Sequence, residues 1–462
     1  MAVDTPKNVR NLVLYEIYVR NHGPNGTFAD VTKDLPRIRE MGVDYVWFMP
    51  IHPIGQLNKK GELGCPYSIQ DYFTTNPEYG TKKEFELLVQ YAHALGLKVM
   101  IDVVYNHTAH DAVTVESHPE WYHRDENGRP MTTVPEWSDI IDLVYDDPAL
   151  WDYLIDALKM WVKLGVDGFR CDVASVVPLA FWQRARREVA AINPDVLWLA
   201  ESVHTGFVID RRQRGLVAHS DGEIHEAFDL SYDYDIWPLW EKAVVDETAV
   251  PTYLTALWYQ KGVYPAHTIK MRCVENHDQR RIMAKAPSRA QALAWTAFQA
   301  FNEGAFLLYA GQEAEETRTP SLFDIDKVRW GAYELQSYLK KLCQLKKDEV
   351  LQDGRFTLLT PQPAITALWQ GGNEGLYGVF NVSGVVDVQP TPLPDGEYVD
   401  LLSETAVTVR DGEMAVPDTA VILAGYPKEQ IEAHKAAGID AFIHLGADCL
   451  ALNQWLQARL SA

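Results

Sequence analysis

Basic residues are scarce in this chain. Lysine and arginine number 42 against 64 aspartates and glutamates, a formal charge of −22 over 462 residues. A surface of that sign repels nucleic acid and anionic lipid, so neither is an expected partner, and a neutral ligand suits it better. Cysteine is rarer still: Cys65, Cys171, Cys273, Cys343 and Cys449 are scattered and odd in number. No pair has zinc-ligand spacing, and free thiols in a reducing compartment are the plain reading. No uninterrupted apolar run reaches the roughly 18–20 residues of a membrane helix. The opening Met-Ala-Val-Asp-Thr-Pro-Lys lacks the basic and apolar regions of a signal peptide. These absences predict a cytoplasmic protein with no membrane partner. Internal repeats and low-complexity segments are missing too. What remains, 47% apolar and 23% charged residues, is the composition of a globular protein. The length suits one large domain with one or two small ones.

Short apolar runs alternate with amphipathic stretches from residue 12 to about 345. The runs lie at 14–19, 45–49, 98–103, 168–171, 197–200, 227–230, 271–274 and 305–309. Between them, residues 82–95 follow Thr81, a good N-cap, and precede Gly96, while 148–164 begin at Pro148 and precede Gly165. Eight strand-then-helix units predict an α/β fold, a (β/α)₈ barrel rather than an open sheet, spanning 1–105 and 147–350. Residues 106–146 break the rhythm and form a separate insertion rich in His, Asp, Glu, Pro and Trp. From 351 to 425, strand-like runs separated by Gly-Gly-Asn and Pro-Asp-Gly predict an antiparallel β-sandwich. Residues 421–425 begin a final β-α-β-α pattern, and 426–462 form a tail of unclear role.

In a barrel, reactive side chains project from the C-terminal ends of the strands. The third run ends in Asp102-Val103-Val104-Tyr105-Asn106-His107, the fourth in Arg170-Cys171-Asp172, the fifth in Glu201 and the seventh in Glu275-Asn276-His277-Asp278. A carboxylate at such a place is costly unless solvated, paired or used. One alone is usually structural; three, with an arginine and two histidines, point to chemistry. Cleaving a glycosidic bond needs one carboxyl group to protonate the leaving oxygen and a second to attack or to activate water. Arg170, two residues before Asp172, lies on the same strand face and can keep it ionised.

These segments resemble the four conserved regions of the α-amylase superfamily, in order and spacing. Gly168-Phe169-Arg170-Cys171-Asp172 resembles the region carrying the nucleophile, Leu199-Ala200-Glu201 the region of the acid/base, and Glu275-Asn276-His277-Asp278 that of the third carboxylate. Upstream, Pro66-Tyr67-Ser68-Ile69-Gln70-Asp71-Tyr72 resembles the segment whose tyrosine stacks on the −1 sugar; downstream, Leu308-Tyr309-Ala310-Gly311-Gln312-Glu313 resembles the eighth-strand motif. The resemblance implies a barrel, a domain B after strand three (short here), a β-sandwich domain C and retention through a covalent glycosyl-enzyme. It implies Asp172 as nucleophile, Glu201 as general acid/base and Asp278 as stabiliser of the cationic transition state. Tyr67, His107 and His277 would bind the −1 glucose and Arg170 would orient Asp172. Asp102 and Asn106 would brace the site or bind structural calcium.

The chain also departs from the family. Val176 and Ser175 stand where a calcium-associated His and a Lys are often found, positions that also contact the +1 sugar. Calcium prefers six to eight oxygen ligands, of which Asn106 and Asp142 supply two, so no metal and no cofactor is expected. Trp121, Tyr122 and Trp137 are either sugar platforms or the insertion's own core. Three functions fit the motifs: a hydrolase of α-glucosidic bonds in malto-oligosaccharides or α-glucans, a transglycosylase with the same triad, or a non-catalytic carbohydrate-binding scaffold. The presence of all three carboxylates disfavours the last.

Overall fold

The computed structural model describes residues 5–359, 364–371, 374–384 and 387–424. The strands in chain order are β1 (Val13–Ile17), β2 (Tyr45–Phe48), β3 (Lys98–Val103), β4 (His107–Ala109), β5 (Ile140–Asp142), β6 (Gly168–Cys171), β7 (Leu197–Ala200), β8 (Leu230–Tyr232), β9 (Lys270–Arg272) and β10 (Ala305–Tyr309). All but β4 and β5 close into an eight-stranded barrel, with β10 returning to β1. Every barrel pairing is parallel. Strands buried on both faces in this way need continuous apolar sequence, and Leu14, Val46, Trp47, Ile101, Phe169, Leu199 and Leu307 are all buried.

The helices are bounded as their end residues dictate. Thr81 caps Lys82–Ala94 in a capping box with Glu84. Asp147 accepts from the Ala149 amide at the start of Pro148–Leu164, and Gly165 ends that helix at φ 119°. A side chain there would be strained, and its amide reaches the Trp161 and Val162 carbonyls. The β4–β5 hairpin organises the insertion. Trp121 and Tyr122 are buried in it, so these two rings are its core; Trp137 is half-buried.

Two barrel strands differ from the sequence expectation. The sixth is not 227–230 but Leu230–Tyr232. Ala227 and Phe228 lie in the turn before it, where Asp229 accepts from the Trp198 amide and from Arg186. The seventh begins at Lys270, one residue before the expected run. Its charged residues face outward into a buried ionic cluster: Lys270 pairs with Asp221 and Asp235, and Arg272 with Asp233. Burial is tolerated because each charged side chain has an opposite partner, which no apolar pattern signals.

The C-terminal unit is two four-stranded antiparallel sheets. One orders β11 (Arg355–Leu358), β12 (Ile365–Gly371), β13 (Glu374–Phe380) and β18 (Ala420–Ala424); the other holds β14 (Val388–Pro390), β15 (Gly396–Val399), β16 (Ala406–Arg410) and β17 (Glu413–Ala415). The run at 421 that opened the expected tail pattern is therefore the closing strand of this domain, paired along β13. The tail at 426–462 lies outside the described residues. Sandwich and barrel meet through aromatics. Trp369 donates to the Phe301 carbonyl at 2.6 Å, Phe380 packs on Phe298 and Phe301, and the Arg10 guanidinium lies 5.0 Å over Trp369. Trp369→Ala is expected to lower the unfolding free energy by about 3–5 kcal/mol, the usual cost of such a cavity. Denaturant unfolding measures this; an unchanged midpoint would mean that the two domains are not energetically joined there.

Candidate active site

The register brings the sequence-nominated residues to one end of the barrel. Cys171 pairs with Ala200, the Glu201 amide donates to the Cys171 carbonyl at 3.0 Å, and the Asp172 amide donates to Val103 at 2.9 Å. Asp172 and Glu201 therefore leave adjacent strands at matched heights. Arg170 sits beneath them with no exposure. Its Nη1 donates to Asp172 Oδ1 at 2.9 Å and to both oxygens of Asp102 at 2.9 and 3.1 Å. Its Nη2 lies 3.0 Å from Glu201 Oε2, an ion pair without hydrogen-bond alignment. Its Nε donates to the Tyr232 hydroxyl at 3.2 Å.

The other nominated residues close round this core. Tyr67 donates to Asp102 Oδ2 at 2.9 Å and lies 2.8 Å from His277 Nε2, with its ring stacked on the imidazole. His277 Nδ1 pairs with Glu16 of β1, and Nε2 lies 3.2 Å from Asp278 Oδ2. Burial lowers the His277 pKa, but the carboxylates of Asp278 and Glu16 outweigh it and hold the ring protonated. Tyr67 thus accepts from an imidazolium and passes its own proton towards Asp102. Asn106 Nδ2 lies 3.1 Å from His107 Nδ1. As an amide donor it leaves the proton on His107 Nε2, 4.0 Å from Asp172 Oδ2. Burial lowers the His107 pKa, so the ring is a neutral donor.

Electrostatics divides the three carboxylates. Burial pushes Asp172 and Glu201 each up to about 7 despite Arg170. Asp278, whose side chain is 38% exposed at the mouth, sits below the ordinary range because its pairing with His277 outweighs the desolvation. Two acids that close cannot both ionise easily, so near neutral pH the pair shares one proton. Arg170 donates to Asp172 and Val173 donates to Glu201, so the shared proton belongs to the pair. A buried anion beside a buried acid is the pairing that acid-assisted nucleophilic displacement requires.

Several members of the site carry no sequence signal. Val173 holds φ 35°, a region that β-branched residues avoid. Its amide donates to Glu201 Oε2 at 2.7 Å, so the strained turn aims a donor at that carboxyl. Tyr232 ends β8 and Tyr234 follows it, both beyond the apolar run at 227–230. Glu16 carries a signal, an acid inside the apolar run of β1. Val176, the position of the missing histidine, packs with Val173, Val203, Val208 and Ala218 against Trp137 and Phe207.

Comparison with known proteins gives the family. The model of the α-amylase catalytic domain matches residues 11–139 and 134–350, and that of the bacterial α-amylase C-terminal domain matches 358–423. The chain belongs to the α-amylase family. It is 39% identical to an α-amylase of Lactobacillus plantarum of known structure, over 91% of this chain and 100% of that one, with a TM-score of 0.88. Among curated relatives, it is 29% identical to an α-amylase of Haloarcula japonica over 75% of this chain and 50% of the other. It is 32% identical to an α-1,4-glucan:maltose-1-phosphate maltosyltransferase of Salinibacter ruber over 43% of this chain and 34% of that one. The chain thus spans half or less of the length of these curated relatives.

The family's calcium does not fit the residues here. Asp142 Oδ2 accepts from the Thr133 amide and hydroxyl, and that hydroxyl accepts from Arg211 Nη1 at 3.0 Å. The nearby positive charge is therefore a buried guanidinium. Among the described residues no cluster of three or more His, Cys, Asp or Glu could hold a metal ion. Prolonged EDTA treatment is expected to leave the melting temperature unchanged; a drop reversed by added calcium would contradict this.

The raised carboxyl of Glu201 also makes a stability prediction. Its folded pKa of about 7 exceeds the ordinary 4.5, so its burial costs nothing below pH 4.5 and its full amount above pH 7. Glu201→Gln is expected to stabilise the fold at pH 8, on the order of 2 kcal/mol, and to change little at pH 4.5. Melting curves at the two pH values read the difference; an equal shift at both would show that the carboxyl is not held protonated by the fold.

Proposed function

We propose that the chain is a retaining hydrolase of α-glucosidic bonds in malto-oligosaccharides or α-glucans. The observation that carries this reading is the single buried guanidinium of Arg170 shared by Asp172 and Glu201 at the ends of neighbouring strands. In this reading Asp172 attacks the anomeric carbon as the glycosidic bond breaks, and Glu201 gives its proton to the leaving oxygen. Water then attacks the glycosyl-Asp172 ester, Glu201 takes a proton from it, and Asp172 is released as the carboxylate. Asp278 offers a carboxylate to the cationic ring. Tyr67, His107 and His277 present polar groups to its hydroxyls. Arg170, Asp102 and Asn106 hold the others in place.

Hydrolysis is preferred to transfer because the α-amylase of Lactobacillus plantarum matches along nearly the whole chain, whereas the Salinibacter ruber maltosyltransferase matches less than half. Transfer keeps support from that second likeness and from the apolar wall of Val173, Val176 and Val203 beside the carboxyl pair. A reducing compartment is favoured by Cys65, Cys171, Cys273 and Cys343, all free thiols. No helix among the described residues is long and apolar enough to cross a membrane.

A fresh digest of maltotriose, followed by proton NMR and chromatography, tests the reading. The first product is expected to be the α-anomer, with glucose and maltose accumulating. An initial β-anomer would remove Asp172 as nucleophile, and oligosaccharides longer than maltotriose as the main early products would make the protein a transglycosylase.

A further inference from the structure

Tyr234 follows β8 and sits on the far side of Glu201 from Asp172 in the strand order β6, β7, β8. Its hydroxyl is 2.9 Å from Asn276 Nδ2 and 3.4 Å from Gln279 Nε2. The orientation of the Asn276 amide is fixed independently, since its Oδ1 accepts from the Asp278 amide at 3.0 Å. Asn276 therefore donates to the Tyr234 oxygen, and Gln279 Nε2 is placed to donate to it as well. The phenolic proton has no acceptor among the described residues. Burial first, and then the charges of Asp278 and Glu201, push the Tyr234 pKa well above the ordinary value, so the proton stays on. The phenol lies in the field of both carboxyl groups, next to where the leaving oxygen must sit.

The ring is held rigidly. Tyr232 packs edge-on at 4.9 Å, and His204 stacks on it at 5.1 Å with planes 9° apart. His204 Nδ1 lies 2.9 Å from the Tyr234 carbonyl, which only accepts, so Nδ1 carries a proton and, in that tautomer, Nε2 carries the lone pair. His204 is exposed and lies three residues after Glu201. The two rings thus offer one donor and one acceptor side by side.

We propose that Tyr234 and His204 form the contact for the sugar that leaves, or that accepts in transfer: the phenol donates to one of its hydroxyls and the imidazole accepts from another. This rests on the glycosidase reading above. Tyr234 stands at the β8 end, between Glu201 after β7 and Asp278 after β9, and His204 beside it is exposed three residues beyond Glu201. With Ser175 and Val176 in place of the polar residues often found near that sugar in the family, recognition passes from the β6 turn to the β7 and β8 ends.

Tyr234→Phe keeps the ring and removes the donor. Comparing maltopentaose with α-maltosyl fluoride separates the two sides, because the fluoride has no leaving sugar. The expected result is a fall of about tenfold in kcat/KM on maltopentaose, the scale of one lost hydrogen bond to an unpaired group, with kcat/KM on the fluoride within about twofold. Equal losses on both substrates would overturn the proposal, since the phenol would then act through Asn276 on Asp278. No loss on either would also overturn it. Asn276 loses a buried acceptor in this variant, so His204→Ala provides a second measurement: KM for maltopentaose rises and the fluoride reaction is kept. Should Tyr234→Phe fail to fold, an unchanged KM in His204→Ala overturns the proposal. Wild-type protein inert towards both substrates would remove the glycosidase reading itself, and this one with it.

Discussion

Arg170 places a full positive charge in the closed mouth of the barrel with no access to water. An isolated charge there would be prohibitive. It is stable because Asp102 takes Nη1 with both oxygens, Asp172 and Glu201 sit against the fork, and the rings of Trp47, Tyr67 and Tyr232 lie within 5.4–5.5 Å of its carbon. A lysine could not do this, since it lacks the planar fork that reaches carboxylates on three strands at once. The dependence runs in both directions. Without the arginine, Asp102, Asp172 and Glu201 would be three like charges crowded in a dry pocket.

That arrangement requires the strands to be in register to within one residue. A slip in β6 would turn Arg170 outward and Cys171 inward. The pairing of β3 with β6 sets Asp102 opposite Arg170, and the pairing of β6 with β7 sets Leu199 opposite it, one turn of the pleat before Glu201. The left-handed Val173 is the local cost of ending β6 sharply enough to aim an amide at Glu201.

A second ionic cluster lies outside the barrel wall, where Lys270 and Arg272 meet Asp221, Asp233 and Asp235. It fixes β9 against β8 from behind, and β8 leads directly into Tyr234 while β9 leads into Asn276, His277 and Asp278. Buried ion pairs resist register change because any slip would separate the partners. The Arg170 network joins the ends of β3, β6 and β7, and the second cluster joins β8 and β9.

The residues that end each apolar run were legible in the sequence: Asp172, Glu201 and Asp278 appear where strand patterns stop, and Arg170 precedes Asp172 by the two-residue step that shares a face. Helix limits at Thr81, Asp147 and Gly165 were legible for the same reason, since caps and periodicity are local. Tertiary structure alone decided the rest. Glu16 meets His277 across 261 residues because β10 closes on β1. Arg211 reaches Thr133 across 78 residues and takes up the surroundings of Asp142. The seventh strand begins earlier than its apolar run because Lys270 looks polar until its partners are known, and the sixth is a three-residue strand of Leu230, Ser231 and Tyr232 too short to show a pattern. Tyr234 became a free donor only when Asn276 and Gln279 had turned their amides towards it. A single chain prints its local preferences in order, but the partner of a buried charge or hydroxyl is chosen by barrel closure, which brings together residues no periodicity relates.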